Sequence, residues 1–237
     1  MTKPGIDTME PMWPQGSSAD YVAARIELAE AERTLRDQIE AVAAARRKMP
    51  QGRLLPEYTF AEGPQDLGVA EPVRATRLRE LFGAHDILVV YHLMFHPDDA
   101  AACSMCSMWV DGFHGVLHHL GRHAGFAAIA KAPLPKLRGW ALRRGWDGMR
   151  ILSSHDTTFN ADMNAERADG DQRPMISVFT AEGNAVRHFY TLPANFWDDA
   201  QRGIDLLSPV WNVLDLLPTG RGEWYADNDY AGRERRI

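Results

Sequence analysis

The chain has 237 residues, 45% of them hydrophobic and 24% charged, with a formal net charge of -6. This is the composition of an ordinary globular protein with room for one large domain or one domain with additions. The negative balance argues against a nucleic-acid partner, which selects a basic face. No apolar run approaches the roughly 20 residues that cross a bilayer, so no membrane partner is expected either.

Met1 to Ser18 contains Pro4, Gly5, Pro11, Pro14 and Gly16 but no apolar core of a signal peptide, and reads as a flexible tail. Residues 19–50 form a unit of their own. Ala19 to Met49 is rich in Ala, Glu, Arg and Leu, and Pro50 closes it. Val22, Ile26, Ala29 and Arg33, with Leu35, Ile39 and Val42, recur at helical spacing on a charged rod. Ser18 or Asp20 supplies the cap. Such a stripe is buried either on the helix's own domain or against a second copy in a homodimer, and both readings stand.

Pro56, Gly63, Pro64, Gly68 and Pro72 mark an extended connector. Leu78 to Phe82 is a short helical turn. Ile87 to Phe95, apolar with β-branched and aromatic residues, is the first clear strand, followed by a helix to about Leu120. Phe126 to Ala130 is a second buried strand, Leu137 to Arg144 a basic helix with Trp140, and Met149 to Ser153 a third strand. Strands alternating with helices imply parallel pairing through right-handed crossovers. Ser154 to Arg173 is polar and acidic and is expected as a surface insertion. Met175 to Thr180 and Ala185 to Thr191 flank Glu182-Gly183-Asn184, a hairpin signal. Phe196 to Leu217 reads as helical segments broken near Pro209, and Gly220 to Ile237 as a charged C-terminal extension.

The two cysteines of the chain stand together in Cys103-Ser104-Met105-Cys106, between the first strand and its helix. At the first turn of a helix, unpaired N–H groups and the positive dipole end stabilise a thiolate. Positions i and i+3 share a face, so the second sulfur can reach the first. This is the redox arrangement of thioredoxin-like proteins. It assigns Cys103 as nucleophile and Cys106 as resolving thiol, working through a mixed disulfide. Asp98 and Asp99 oppose the acidification of Cys103, which predicts a moderately acidic thiol. With no structural disulfide framework, a cytoplasmic dithiol is the expected setting. Its partners would be a thiol or disulfide substrate and a cellular thiol reductant.

Pro174 directly precedes the Met175 strand. In thioredoxin-like folds that position holds a cis-proline beside the Cys pair, so a cis Arg173–Pro174 bond is predicted, with Arg173 and Pro174 binding substrate. The competing reading is a trans proline that opens a strand. Nine histidines invite a metal reading, but Cys106 and His114 on one helix lie roughly 12 Å apart, too far for one tetrahedral zinc. No metal is expected. No phosphate-cradling loop follows a strand, so no nucleotide or flavin cofactor is expected either.

Read in order, the chain resembles the thioredoxin-like family catalogued as domain of unknown function 899, predicted dithiol–disulfide oxidoreductases. The resemblance covers about Tyr21 to Tyr230. It rests on Leu88 to Phe95, Cys103-Ser104-Met105-Cys106-Ser107-Met108-Trp109-Val110-Asp111, and Ala130-Lys131-Ala132-Pro133-Leu134. Ile176-Ser177-Val178-Phe179, Arg202-Gly203-Ile204-Asp205-Leu206-Leu207 and Leu214 to Arg221 complete it. It implies an α/β fold over residues 51–237, a thioredoxin-like mixed sheet flanked by helices, and thiol redox chemistry. One alternative is a peroxiredoxin-like peroxidase, since Phe95-His96-Pro97-Asp98-Asp99 precedes Cys103 much as Phe-x-Pro-x-Asp precedes a peroxidatic cysteine. Against it, Ala100 stands where a Thr hydroxyl is wanted, and the spacing is one residue short. A second alternative is a binding or assembly module whose long helix recruits a partner while the thiols stay idle.

Overall fold

The structure, a computed structural model, describes residues 11–195 and 202–230. It divides into two units, residues 1–50 and 51–237. In the first, helix α1 (Ala19–Arg47) is capped by Ser18, whose hydroxyl accepts the Tyr21 N–H at 3.2 Å. Asp20 sits in its first turn and Arg46 and Arg47 in its last, each sign matched to its end of the helix dipole. Residues 1–10 of the expected tail lie outside the described residues, as do residues 196–201 and 231–237 of the C-terminal segments.

The second unit is built on one seven-stranded sheet. Strands β1 (Thr59–Glu62) and β2 (Arg74–Arg77) form an antiparallel edge pair, and a 3₁₀ turn (Leu78–Phe82) leads to β3 (Ile87–Leu93). Helices α2 (Ser104–Gly115) and α3 (Leu117–Leu120) cross to β4 (Gly125–Ala130), and α4 (Leu134–Arg144) crosses to β5 (Arg150–Ser153). After the short α5 (Phe159–Asp162) come β6 (Met175–Glu182) and β7 (Ala185–Pro193), then a 3₁₀ turn at Asp205–Leu207 and α6 (Pro209–Leu214). The strand order is β2-β1-β5-β4-β3-β6-β7.

β3 pairs in parallel with β4 on one side and antiparallel with β6 on the other, and β6 turns back on β7. The order β4-β3-β6-β7, with a helix joining β3 to β4 and a hairpin completing the sheet, is the thioredoxin-like arrangement. β3 is covered on both faces, which is why it reads as a near-continuous apolar run. Tyr91 and Leu93 face α2 and α4, together with Trp109, Val110, Phe113, Leu137 and Trp140. Leu88 and Val90 face Phe60, Phe82, Phe159 and Phe179 on the other side.

Two expectations are corrected. The supposed connector supplies β1 and β2. Its strand pattern was masked by Glu62, a charged residue buried at a core position because Arg150 meets it through two contacts of 2.7 Å and the Thr76 hydroxyl donates at 2.7 Å. The segment from Ser154 to Arg173 is not confined to the surface either. Phe159 is fully buried, edge-on to Tyr58 and Phe60 and stacked on His92 at 5.5 Å. The polar neighbours that suggested a loop satisfy one another inside, Ser154 donating to Asn160 at 2.5 Å.

Candidate functional site

Cys103 is the N-cap of α2, and its sulfur accepts the Cys106 N–H at 3.5 Å. A sulfur here does what a Ser or Asp oxygen does at other helix starts, accepting one of the N–H groups that the first turn leaves unpaired. The backbone around it is fixed: the Cys103 N–H donates to Met94 O at 3.0 Å, and Cys103 O accepts the Ser107 N–H at 2.9 Å and the Ser107 hydroxyl at 3.0 Å. α2 is anchored further along by Asp111, which accepts the Trp146 indole N–H at 2.8 Å and pairs with Arg144.

Both cysteines are free thiols, Cys103 half-buried and Cys106 buried. Hydrogen bonding from the Cys106 thiol is the main reason the Cys103 pKa falls, to about 6. Burial pushes it back up, the amides of Cys106 and Met105 lower it again, and the Asp99 carboxylate opposes them. Cys106 goes the other way, raised well above the ordinary thiol value by its burial and by Cys103. The two shifts run in opposite directions, favouring a thiolate at Cys103 and a protonated thiol at Cys106.

Tyr91 and His92 point to opposite faces of β3, and Tyr91 is the one that meets the thiols. Its ring lies 5.5 Å from Phe113, and its buried hydroxyl meets no partner at good hydrogen-bond geometry among the described residues. Burial raises its pKa well above the phenol value, with Cys106 adding to the effect. It is thus a neutral O–H beside Cys106, where it favours the thiolate. His92 lies on the far face, with Ser177 Oγ 2.9 Å from its Nε2.

Cys103 and Cys106 open into a cavity of about 280 Å³ whose lining includes Trp109, Gln172, Arg173, Pro174, Trp211 and Tyr225. The structure thus brings together all four residues singled out from sequence, but the Arg173–Pro174 bond is trans, correcting the expected cis bond. Here the chain runs extended into β6. The Arg173 N–H donates to Ala165 O at 2.9 Å and Pro174 O accepts the Ala194 N–H at 3.0 Å, so the segment needs no tight turn.

Sequence reasoning missed three contributors. Gln172 lines the cavity and ties its loop to the Cys loop by accepting the Phe95 N–H at 2.8 Å. Trp211 packs edge-on against Trp109 at 5.8 Å. The supposed C-terminal extension covers the start of α2: Asn228 donates to Ala102 O at 3.0 Å, the Ala226 N–H approaches Met105 Sδ at 3.4 Å, and Tyr225 lines the cavity. The aromatic density of Trp224-Tyr225 and Tyr230 inside a polar tail was the available signal. Among the described residues no helix is long and apolar enough to cross a membrane.

A family model described as a bacterial protein of unknown function, DUF899, matches residues 11–235. No curated protein matches the sequence. Similar solved structures include peroxidoxin BcpB from Mycobacterium tuberculosis, 18% identical, covering 67% of this chain and 96% of that one with a TM-score of 0.47. The reduced 2-Cys peroxiredoxin of Plasmodium vivax is 13% identical, covering 67% and 96% with a TM-score of 0.46. Peroxiredoxin Q from Xanthomonas campestris is 14% identical, covering 63% and 87% with a TM-score of 0.44.

Proposed function

The chain belongs to the DUF899 family of bacterial proteins, and for it we propose a thiol–disulfide oxidoreductase working through Cys103 and Cys106. The carrying observation is the division of labour between the sulfurs: an acidified, half-buried Cys103 at a helix N-cap above a buried, protonated Cys106.

The Cys103 thiolate attacks one sulfur of a substrate disulfide, forming a mixed disulfide and releasing the other half as a thiolate. Cys106 then gives its proton to the released thiolate or to solvent, with the Tyr91 hydroxyl beside it, and attacks Cys103 Sγ. The second substrate half leaves as a thiolate, and a Cys103–Cys106 disulfide remains. Substrate gains two electrons, the pair loses two, and a cellular dithiol reductant restores the pair. With uncharged Ser104 and Met105 between the thiols, the reading places the potential at about -270 to -200 mV.

The deciding experiment is trapping with Cys106→Ser. That variant should accumulate mixed disulfides through Cys103, and Cys103→Ser should form none. Peroxide turnover by the reduced protein at a rate far above its disulfide exchange would shift the assignment to a thiol peroxidase. Unchanged cellular function in Cys103→Ser would leave the thiols idle.

A further inference from the structure

Extended polypeptides dock by pairing their backbone with an exposed strand-like segment. Beside the thiols that segment is residues 172–174, and two of its backbone groups are already engaged. Pro174 has no N–H. Its carbonyl accepts the Ala194 N–H, and the Arg173 N–H is held by Ala165 O. The space in front of Cys103 is also small. At about 280 Å³, walled by Met94, Met105, Trp109, Ile204 and Trp211, it stands at the lower end of small-molecule sites.

The charged side chains of the cavity are two arginines and one carboxylate. Gln172 is 9% exposed; its Oε1 is fixed by the Phe95 N–H, and its Nε2 has no partner among the described residues. A buried amide left without a partner costs free energy until a ligand acceptor fills it. Arg167 and Arg173 both line the cavity, together with one carboxylate, Asp171. Arg167 Nη1 is paired with Asp171 at 2.9 Å. Among the described residues the exposed Arg173 guanidinium makes no ion pair or side-chain hydrogen bond, and it stands as a cation at the rim.

We infer that the Cys103 cavity takes a low-molecular-weight disulfide bearing a carboxylate, with Arg173 at the rim holding the carboxylate and Gln172 forming part of the wall. The inference rests on the redox reading above and names its substrate class. The reaction balances as before: the small disulfide accepts two electrons and leaves as two thiols, and Cys103 and Cys106 become a disulfide. Guanidinium–carboxylate pairing is directional as well as electrostatic, so the cavity selects by charge.

The test uses the full chain with both thiols reduced. Its single-turnover oxidation is followed with three disulfides of similar size: dithiodipropionate (anionic), hydroxyethyl disulfide (neutral) and cystamine (cationic). Each rate is divided by the rate of the same disulfide with mercaptoethanol, which removes intrinsic reactivity. The anionic disulfide should be favoured over the cationic one by about tenfold or more, and Arg173→Gln should bring that ratio close to one. Gln172→Met should slow dithiodipropionate severalfold. Equal normalised rates for all three, or faster oxidation by insulin disulfides than by dithiodipropionate, overturns the inference and leaves the redox reading standing. If no disulfide oxidises the pair, the redox reading itself falls, and this inference with it.

Discussion

Trp140 on α4 donates its indole N–H to the Ser107 hydroxyl at 3.1 Å, and the same hydroxyl donates to Cys103 O at 3.0 Å. One small polar side chain in α2, fully buried, thus ties the Cys103 backbone to the neighbouring helix. Ser107→Ala removes both bonds and strands a buried indole N–H. It should cost about 1–3 kcal/mol of stability, read as a lower urea midpoint with an unchanged slope.

Thiolate chemistry at Cys103 should be well developed at neutral pH. Alkylation of the reduced protein, followed across pH by mass spectrometry, should modify Cys103 before Cys106 with a midpoint near the pKa of about 6. Asp99 holds that value up, so Asp99→Asn should move the midpoint lower. An upward move would show that the Asp99 carboxylate acts through the loop it caps at His96 N–H, 3.1 Å away, rather than through its charge.

Tyr91 bears on the second half of the reaction. Its O–H favours the Cys106 thiolate that must form before the mixed disulfide resolves. Its hydroxyl, which has no other partner among the described residues, is free to turn to that sulfur once it ionises, and a hydrogen bond to a charged group is worth about 1.5–3 kcal/mol. Tyr91→Phe should therefore slow resolution by about tenfold or more and let the Cys103 mixed disulfide accumulate, with initial attack by Cys103 little changed. Rapid quench with a chromogenic disulfide separates the two steps.

On the opposite face, stability should fall as the medium is acidified. Burial is the main reason the His92 pKa drops from 6.5 to about 3, with His188 adding to it. Below about 6.5 the unfolded chain protonates this residue and the folded chain does not. Its contribution is therefore intact above 6.5 and is lost as pH falls toward 3, with a slope of at most about 1.4 kcal/mol per pH unit. His188, also lowered by burial, adds in the same direction. Urea unfolding between pH 7 and 4 should show this dependence, and His92→Leu should flatten it.

What the chain announced in advance follows the physics of periodicity. Ile87 to Leu93, Gly125 to Ala130 and the hairpin around Gly183 were legible because covered or paired strands carry local apolar patterns and turn residues. The place of the cysteine pair at a helix start was legible because its spacing of three and the strand before it are local features. Glu62 hid β1, since its burial depends on Arg150, 88 residues away. Phe159 was lost among polar neighbours whose partners lie inside the fold. Gln172 gave no local sign at all, and Tyr225 only its place in an aromatic cluster, because a cavity is made by segments that meet only after folding. The trans bond at Pro174 likewise depends on Ala165 and Ala194, which no reading of neighbouring residues brings into view.

The covering of α2 by residues 225–228 has a consequence in time. Met105 and Ala226 are 121 positions apart. A ribosome adding about 5–20 residues per second needs on the order of 6–24 s to get from one to the other. Throughout that interval a nascent chain already carries both thiols but not the segment that roofs them. The newborn protein thus passes through a stage in which its cysteines meet ambient oxidants before the segment that completes the cavity around them has been made.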